Sequence, residues 1–388
     1  EFVVEQHLAD GGDDSDAIVL PLREKAEKVF DEVLSGPWST SDYPQVVRWL
    51  KRNERTLTLA HEASGRTHFY MPYLNGGDED EGWEFMLIGV LLPGATHCRS
   101  MGRLLAIEGN LALGKGDGKK AQASFLACHR LGRVCSRGAT LIEGLVGIAI
   151  DGIGVAGDVR VVEHGELSAE ELRSFQVRLG ELPPFSAMLE KVTTTERYMF
   201  LDVTQALEKH GVGLLKTIAG LTGGGGSPGV VESIGSGIAT AVIDWNIVLK
   251  MGNEAYDRIE EIGKIESVVE RNEKFKEFDR ELQEMNSRVG SPGALARELL
   301  FRGKTVRKVA SEQMGATLMS MLIPAVGSAV NAEDRGVMNT QMAQTVVGLA
   351  LFQDEHGRYP KRLAELTPVF IKKVPTDIYS GKPIRYIQ

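Results

Sequence analysis

The sequence predicts a mainly α protein: helical hairpins packed as a bundle or solenoid-like array, with a small extended β tail at the C-terminus. Three observations predict it. Apolar residues recur at helical spacing through most of the chain, as at Met338, Met342, Val346 and Leu349. Helix-stopping signals such as Gly36-Pro37, Pro183-Pro184, Gly211 and Ser291-Pro292-Gly293 divide it into helix-length pieces. No series of strand-like segments appears before the tail.

Residues 1–16 are polar with a Gly-Asp run, and their order depends on docking. Ala26, Val29, Phe30 and Val33 give one apolar face to a helix over 20–34. Ser41 or Asp42 is placed to cap the next helix, which runs through Val46, Val47, Trp49 and Leu50 to about residue 61. Residues 67–74, with His68, Phe69, Tyr70 and Tyr73, have no helical period and read as an extended strap lying on helices. An acidic loop follows at 76–82.

The clearest pattern covers 83–156. Phe85, Leu87, Leu91 and Leu92 lead into a helix near Pro93, and Met101, Leu104, Leu105 and Leu111 mark another. A tight turn at 114–118 precedes a returning face of Ala121, Phe125, Cys128, Leu131 and Val134. Gly109, Ala112, Ala121, Phe125 and Cys128 match the small and large positions of a tetratricopeptide-type helix pair, in which small residues admit close approach and the aromatic fills the groove. One such copy is present where an array needs about three, so the reading is a hairpin with solenoid-like packing.

Residues 141–155 are strongly apolar with only Glu143 and Asp151 ionisable, which places them near the centre of the core. Ser168 and Glu171 form a capping box that opens a helix to about residue 182. A long helix, 185–210, is capped by Gly211. Four glycines, Gly223 to Gly226, then Ser227-Pro228-Gly229, make 222–237 a flexible loop or lid and the strongest internal boundary. Trp245, Leu249 and Tyr256 belong to a helix over 238–262, and 265–289 is a charged, exposed helix. Two further helices cover 294–310 and 312–323. The expected organisation is 1–82, N-terminal helices and strap; 83–221, hairpin core; 222–237, loop; 238–333, second helical part; and 334–388, terminal helix and β cap.

In the closing segment the helix of 334–356 ends at Gly357, placed for a left-handed cap, and Pro360 prevents its continuation. Leu363, Leu366 and Phe370 fit one or two further helical turns. Pro383, Ile384, Arg385 and Tyr386 alternate as a short edge strand. Gly357, Tyr359, Pro360, Leu363, Leu366, Pro375, Asp377, Gly381, Pro383 and Tyr386 match the segment after the first helix of type II secretion major pseudopilins. Ile378 stands where those proteins have Pro, and Tyr379 where they have Trp. The resemblance covers about the last tenth of the chain and lacks the hydrophobic N-terminal spine, so it does not imply a pilus subunit, and it carries over no calcium site. The whole chain resembles a bacterial exported helical family, of the kind found in planctomycetes, with such a tail. That resemblance implies an exported or periplasmic protein whose precursor carries an N-terminal signal or membrane anchor ahead of Glu1. It brings no known activity.

The net charge of −9, with both signs interspersed, argues for solubility and against a nucleic-acid partner. The basic cluster of Arg302 to Lys308 reads as the solvated face of a helix. No apolar run reaches the roughly 20 residues that span a bilayer; the longest, 318–330, contains Ser320, Pro324 and Gly327. Cys128 and Cys135 lie seven apart on one helix, roughly 10 Å along its axis and too far for a disulfide. Cys98 reaches either from a neighbouring antiparallel helix, or all three are small buried hydrophobes.

Catalytic motifs fail one by one. Gly118-Lys119 is followed by Lys120 where a P-loop needs Ser or Thr, and Gly65 occupies the second His position of a His61-Glu62 zinc motif. No Glu-x-x-His repeat for a di-iron bundle exists, and Gly235-Ser236-Gly237 has no α/β context. No motif calls for a cofactor or metal. What remains is a set of carboxylates in apolar or mid-helix surroundings: Glu143, Asp151, Glu196, Asp202 and Asp244. Buried acids can serve acid–base chemistry, and they can equally be structural ion pairs. The preferred reading is an exported, non-enzymatic helical protein acting in protein–protein interaction or as an envelope component. The alternative is an all-α hydrolase or lyase that uses these acids in a helical cleft under the 222–237 loop.

Overall fold

The structure is a computed structural model, and it describes residues 16–75, 86–221, 242–287, 305–323 and 326–387. The acidic loop, the Gly-rich 222–237 loop and most of the 294–310 helix expected from sequence lie outside these residues. The protein is mainly α. Its helices are α1 (Asp16–Ser35), α2 (Pro44–Arg52), α3 (Glu54–Ser64), α4 (Pro93–Gly114), α5 (Gly118–Cys135), α6 (Leu141–His164) and α7 (Ala169–Gly180). After these come α8 (Met188–Lys191), a π turn (Val192–Glu196), α9 (Arg197–His210) and α10 (Leu215–Leu221). The last are α11 (Trp245–Gly263), α12 (Val268–Ser287), α13 (Val306–Leu322) and α14 (Val326–His356). Among the described residues the strands are two residues each, β1 (Leu74–Asn75) and β2 (Val90–Leu91), paired antiparallel with Leu74 opposite Leu91.

Local chemistry sets most helix ends. Ser168 and Glu171 form the expected reciprocal box at the start of α7. Gly211 and Gly357 take positive φ, +90° and +66°, where α9 and α14 stop. Several boundaries differ from expectation. Residues 93–114 make one helix, because Pro93 at its first turn needs no amide partner and nothing afterwards breaks it. Tyr43, without a side-chain cap, precedes α2, whose first position is Pro44; Ser41 and Asp42 instead bond within the preceding turn. The helix expected over 185–210 begins at Met188 and passes through the π turn. The expected edge strand at 383–386 is reduced to a single bridge, Thr376 to Pro383, beside the turn in which the Asp377 amide donates to the Lys382 carbonyl.

Helices α4, α5 and α6 form the centre. Phe125 of α5 is fully buried; its ring lies against Gly109 of α4, and also against Gly157 of α6. The groove-filling aromatic expected for a two-helix unit therefore serves three helices. One turn from the C-terminal end of α5, Gly132 meets Gly147 of α6 with no side chain between the two backbones. Among the described residues four buried clusters pack around this centre, and two of them are the largest. One gathers Phe125, Val161, Phe175, Val347, Phe352 and the tail residue Phe370. The other gathers Phe200, Tyr256, Phe275, Met314 and Val330 from α9 and α11–α14.

The 31-residue α14 enters both cores: Val326, Ala329 and Val330 in the second, Val347, Leu351 and Phe352 in the first. At 1.5 Å per residue it is about 46 Å long. The helix expected to begin at 334 thus starts eight residues earlier, and the tail's apolar residues are part of the main core. By length and composition the stretch Val306–His356 holds one window able to cross a membrane, and 81% of that window is buried within the protein.

A Cβ placed on Gly147 would lie 2.5 Å from the Gly132 carbonyl oxygen and 2.6 Å from the Ser136 nitrogen. Gly147→Ala is expected to lower unfolding free energy by about 1–3 kcal/mol through overpacking. Urea unfolding followed by circular dichroism measures it; an unchanged midpoint would contradict the backbone contact.

Candidate functional site

Helix α6 carries two of the candidate acids, and their environments differ. Glu143 occupies its first turn. There Thr140 caps the helix by accepting the Glu143 amide at 3.2 Å, while the Glu143 carboxylate accepts the Thr140 amide at 3.0 Å and hydroxyl at 2.8 Å. This is a second capping box. Tyr73 of the strap reaches the same carboxylate at 2.9 Å, and its hydroxyl accepts the Ala139 amide at 3.0 Å. The strap expected over 67–74 is fastened to the helices here.

Two turns further along, Asp151 is sealed from solvent. His129 of α5 lies between it and Asp158, with Nδ1 2.9 Å from Asp151 and Nε2 2.8 Å from Asp158. Arg133, one turn along α5, donates from Nε to Asp151 at 2.9 Å and from its terminal nitrogen to the Thr340 hydroxyl of α14 at 2.9 Å. Its guanidinium lies 3.4 Å from the centre of the Phe185 ring. The Thr340 hydroxyl in turn reaches the Gly336 carbonyl at 3.1 Å. His129 and Asp151 are 0% exposed, and Asp158 is 1% exposed.

Burial alone would drive the imidazole towards its neutral form. The adjacent Asp158 and Asp151 charges and their hydrogen bonds reverse that and hold its pKa up to about 10. Burial pushes the Asp158 carboxyl up, against the opposing pull of the imidazolium. With His129 protonated, two cations face two carboxylates, and the group is neutral as a whole. A smaller set ties α3 to α4 and α5: the Glu108 carboxylate contacts His61 at 2.7 Å, Ser124 at 2.9 Å and Lys120 at 3.1 Å. Burial works against that charge, but these three donors hold the carboxyl below its ordinary range.

The other three acids are dispersed. Glu196 ends the π turn and accepts a backbone hydrogen bond from Leu141, so it shares the α6 N-terminus with Glu143; burial raises its carboxyl. Asp202 of α9 accepts the Leu87 amide at 2.8 Å. Asp244 caps α11 by accepting the Asn246 amide at 3.2 Å and lies 3.6 Å from Arg307 of the basic cluster. Buried Lys191 donates to the Gly138 carbonyl, and burial lowers its ammonium pKa. Among the described residues no group of three His, Cys, Asp or Glu side chains is arranged to hold a metal ion.

Sequence reasoning missed His129, Arg133, Asp158 and Thr340. The signal was present. His129 and Arg133 are spaced i,i+4 on one apolar helix, Asp151 and Asp158 i,i+7 on the next, so each pair shares a face. A surface cleft of about 570 Å³ lies between the starts of α4 and α6. Val90, Leu91, Ala95, Ile142 and Val146 line it, with Thr96 and Arg99 as its polar members. Among the described residues no carboxylate lines it. Comparison with protein-family models, curated proteins and solved structures gave no match.

Removing His129 leaves two buried carboxylates facing each other. His129→Gln is expected to cost roughly 3–5 kcal/mol near neutral pH. Because the folded pKa lies above the ordinary 6.5, the stabilisation is complete below about 6.5 and is lost as pH rises through about 10. The gap between wild type and variant in urea unfolding should therefore narrow from pH 7 to pH 10; a gap that is constant or widens would contradict the protonated assignment.

Proposed function

We propose that this chain is an exported, non-enzymatic helical protein that acts by binding a partner protein or as a structural component of the envelope. The observation that carries the reading is the fate of the five candidate carboxylates. Glu143, Glu196, Asp202 and Asp244 each accept hydrogen bonds from backbone amides at helix or turn starts, and Asp151 is held in the sealed ion group. Groups so held fix the fold and are poorly placed to exchange protons with a substrate. The open cleft, by contrast, has apolar walls. Leu91 and Ile142 on its rim are 54% and 56% exposed, which suits an apolar segment of a partner protein.

The alternative, an all-α hydrolase or lyase, draws on Glu196 alone. Its carboxyl is raised by burial, and it ends a π turn, a local irregularity that recurs at functional sites. The partner reading is tested with the double variant Leu91→Glu and Ile142→Glu, whose exposed positions leave the fold intact. Affinity capture from native envelope extract should recover a protein with wild type and lose it at least tenfold with the variant. Equal recovery by both, or a wild type that stays monomeric and alone, would contradict it.

A further inference from the structure

All three cysteines are buried; the Cys128 thiol donates to the Gly102 carbonyl at 3.4 Å and the Cys135 thiol to the Glu143 carbonyl at 3.7 Å. Cys98 lies one turn into α4, and Cys135 is the last residue of α5. The Gly116 turn sits midway between them in sequence, so the antiparallel hairpin sets the two positions directly opposite. Both belong to the same buried cluster with Ala95, Leu131 and Val146, and both are free thiols. The same register sets Gly109 against Phe125 and Glu108 against Ser124 further along the hairpin. The sequence leaves two partners open for Cys98; the structure sets Cys135 against it.

We propose that Cys98 and Cys135 are a disulfide-forming pair, which a disulfide oxidant converts into a covalent staple across the open end of the α4–α5 hairpin. Cys98 is the more accessible of the two, 6% exposed against 0%, and takes the attacking role. Its helical neighbours Ala95, Thr96 and Arg99 line the cleft described above, which gives an oxidant its approach.

Cys98 thiolate attacks one sulfur of the oxidant, forming a mixed disulfide and releasing one thiolate of the reagent. Cys135 then gives up its proton and attacks the Cys98 sulfur. The Cys98–Cys135 Sγ–Sγ bond forms, and the second reagent thiolate leaves. Two cysteine thiols lose two protons and two electrons, and one reagent disulfide becomes two thiols. This inference stands independently of partner binding, since it concerns only the two helices and an oxidant.

The test uses the full chain incubated at pH 8 with oxidised glutathione, then denatured, alkylated and digested. Mass spectrometry should find a peptide pair joined through Cys98 and Cys135, with Cys128 alkylated, and the thermal midpoint should rise by several degrees and fall back after reduction. Cys128→Ser should give the same crosslink. Cys98→Ser should give none. Three alkylated cysteines after prolonged oxidation, glutathione retained on Cys98, or a crosslink through Cys128 would each overturn the proposal. Because crosslink mapping is done on the wild type, a poorly folded variant does not affect the outcome.

Discussion

Two cations and two carboxylates share a buried interior in this protein, and only their mutual neutralisation makes that arrangement tolerable. An isolated charge would be expelled or neutralised at such a depth. His129 and Arg133 meet Asp151 and Asp158 because α5 and α6 touch backbone to backbone at Gly132 and Gly147, with no side chain to hold them apart. Backbone contact and charge balance depend on each other. Without the glycines the imidazole would not reach both acids, and without the imidazole the acids would repel across a low-dielectric gap.

From this group the order extends outward through α14. Arg133 passes its second hydrogen bond to Thr340, while its guanidinium covers Phe185, so one side chain connects α5, α6, α14 and the segment that leads into α8. Further towards its N-terminus α14 repeats the device. Glu333 accepts the Met188 amide at 2.7 Å at the start of α8, and Asp334 pairs with Arg271 of α12. The helix thereby carries apolar contacts into both cores and a polar link at each junction. A buried ion pair adds little net stability compared with apolar packing, but it penalises every alternative register in which a charge loses its partner. In a bundle of apolar helices with many small residues, where sliding costs little, that penalty selects one alignment.

The helical class, the hairpin turning at 114–118, the Ser168 box and the Gly211 and Gly357 stops were all legible in the sequence, since each rests on residues within about one helical turn. What was not legible depended on rotation and crossing of helices far apart in the chain. The groove partner of Phe125 on α4, Gly109, could be read from the hairpin pattern; Gly157 on α6 could not. Glu143 looked like an isolated acid in an apolar run because the run drew attention from the Thr140-x-x-Glu143 cap beside it. Asp151 was singled out correctly as a buried acid, but its partners lie 22 and 18 residues back on another helix, and its link to Thr340 spans 189 residues. The tail's edge strand failed for a related reason: alternation specifies a strand only when a neighbouring strand is there to receive it.

The central claim is that His129 is a permanent imidazolium held by Asp151 and Asp158, a structural cation in place of a proton-exchanging base. Nitrogen-15 NMR of the His129 ring, recorded from pH 6 to pH 9 on labelled protein, tests it most directly. The account predicts that both ring nitrogens stay protonated, with imidazolium shifts across that range. A neutral His129 tautomer at pH 8, or a midpoint between 6 and 7, would contradict it.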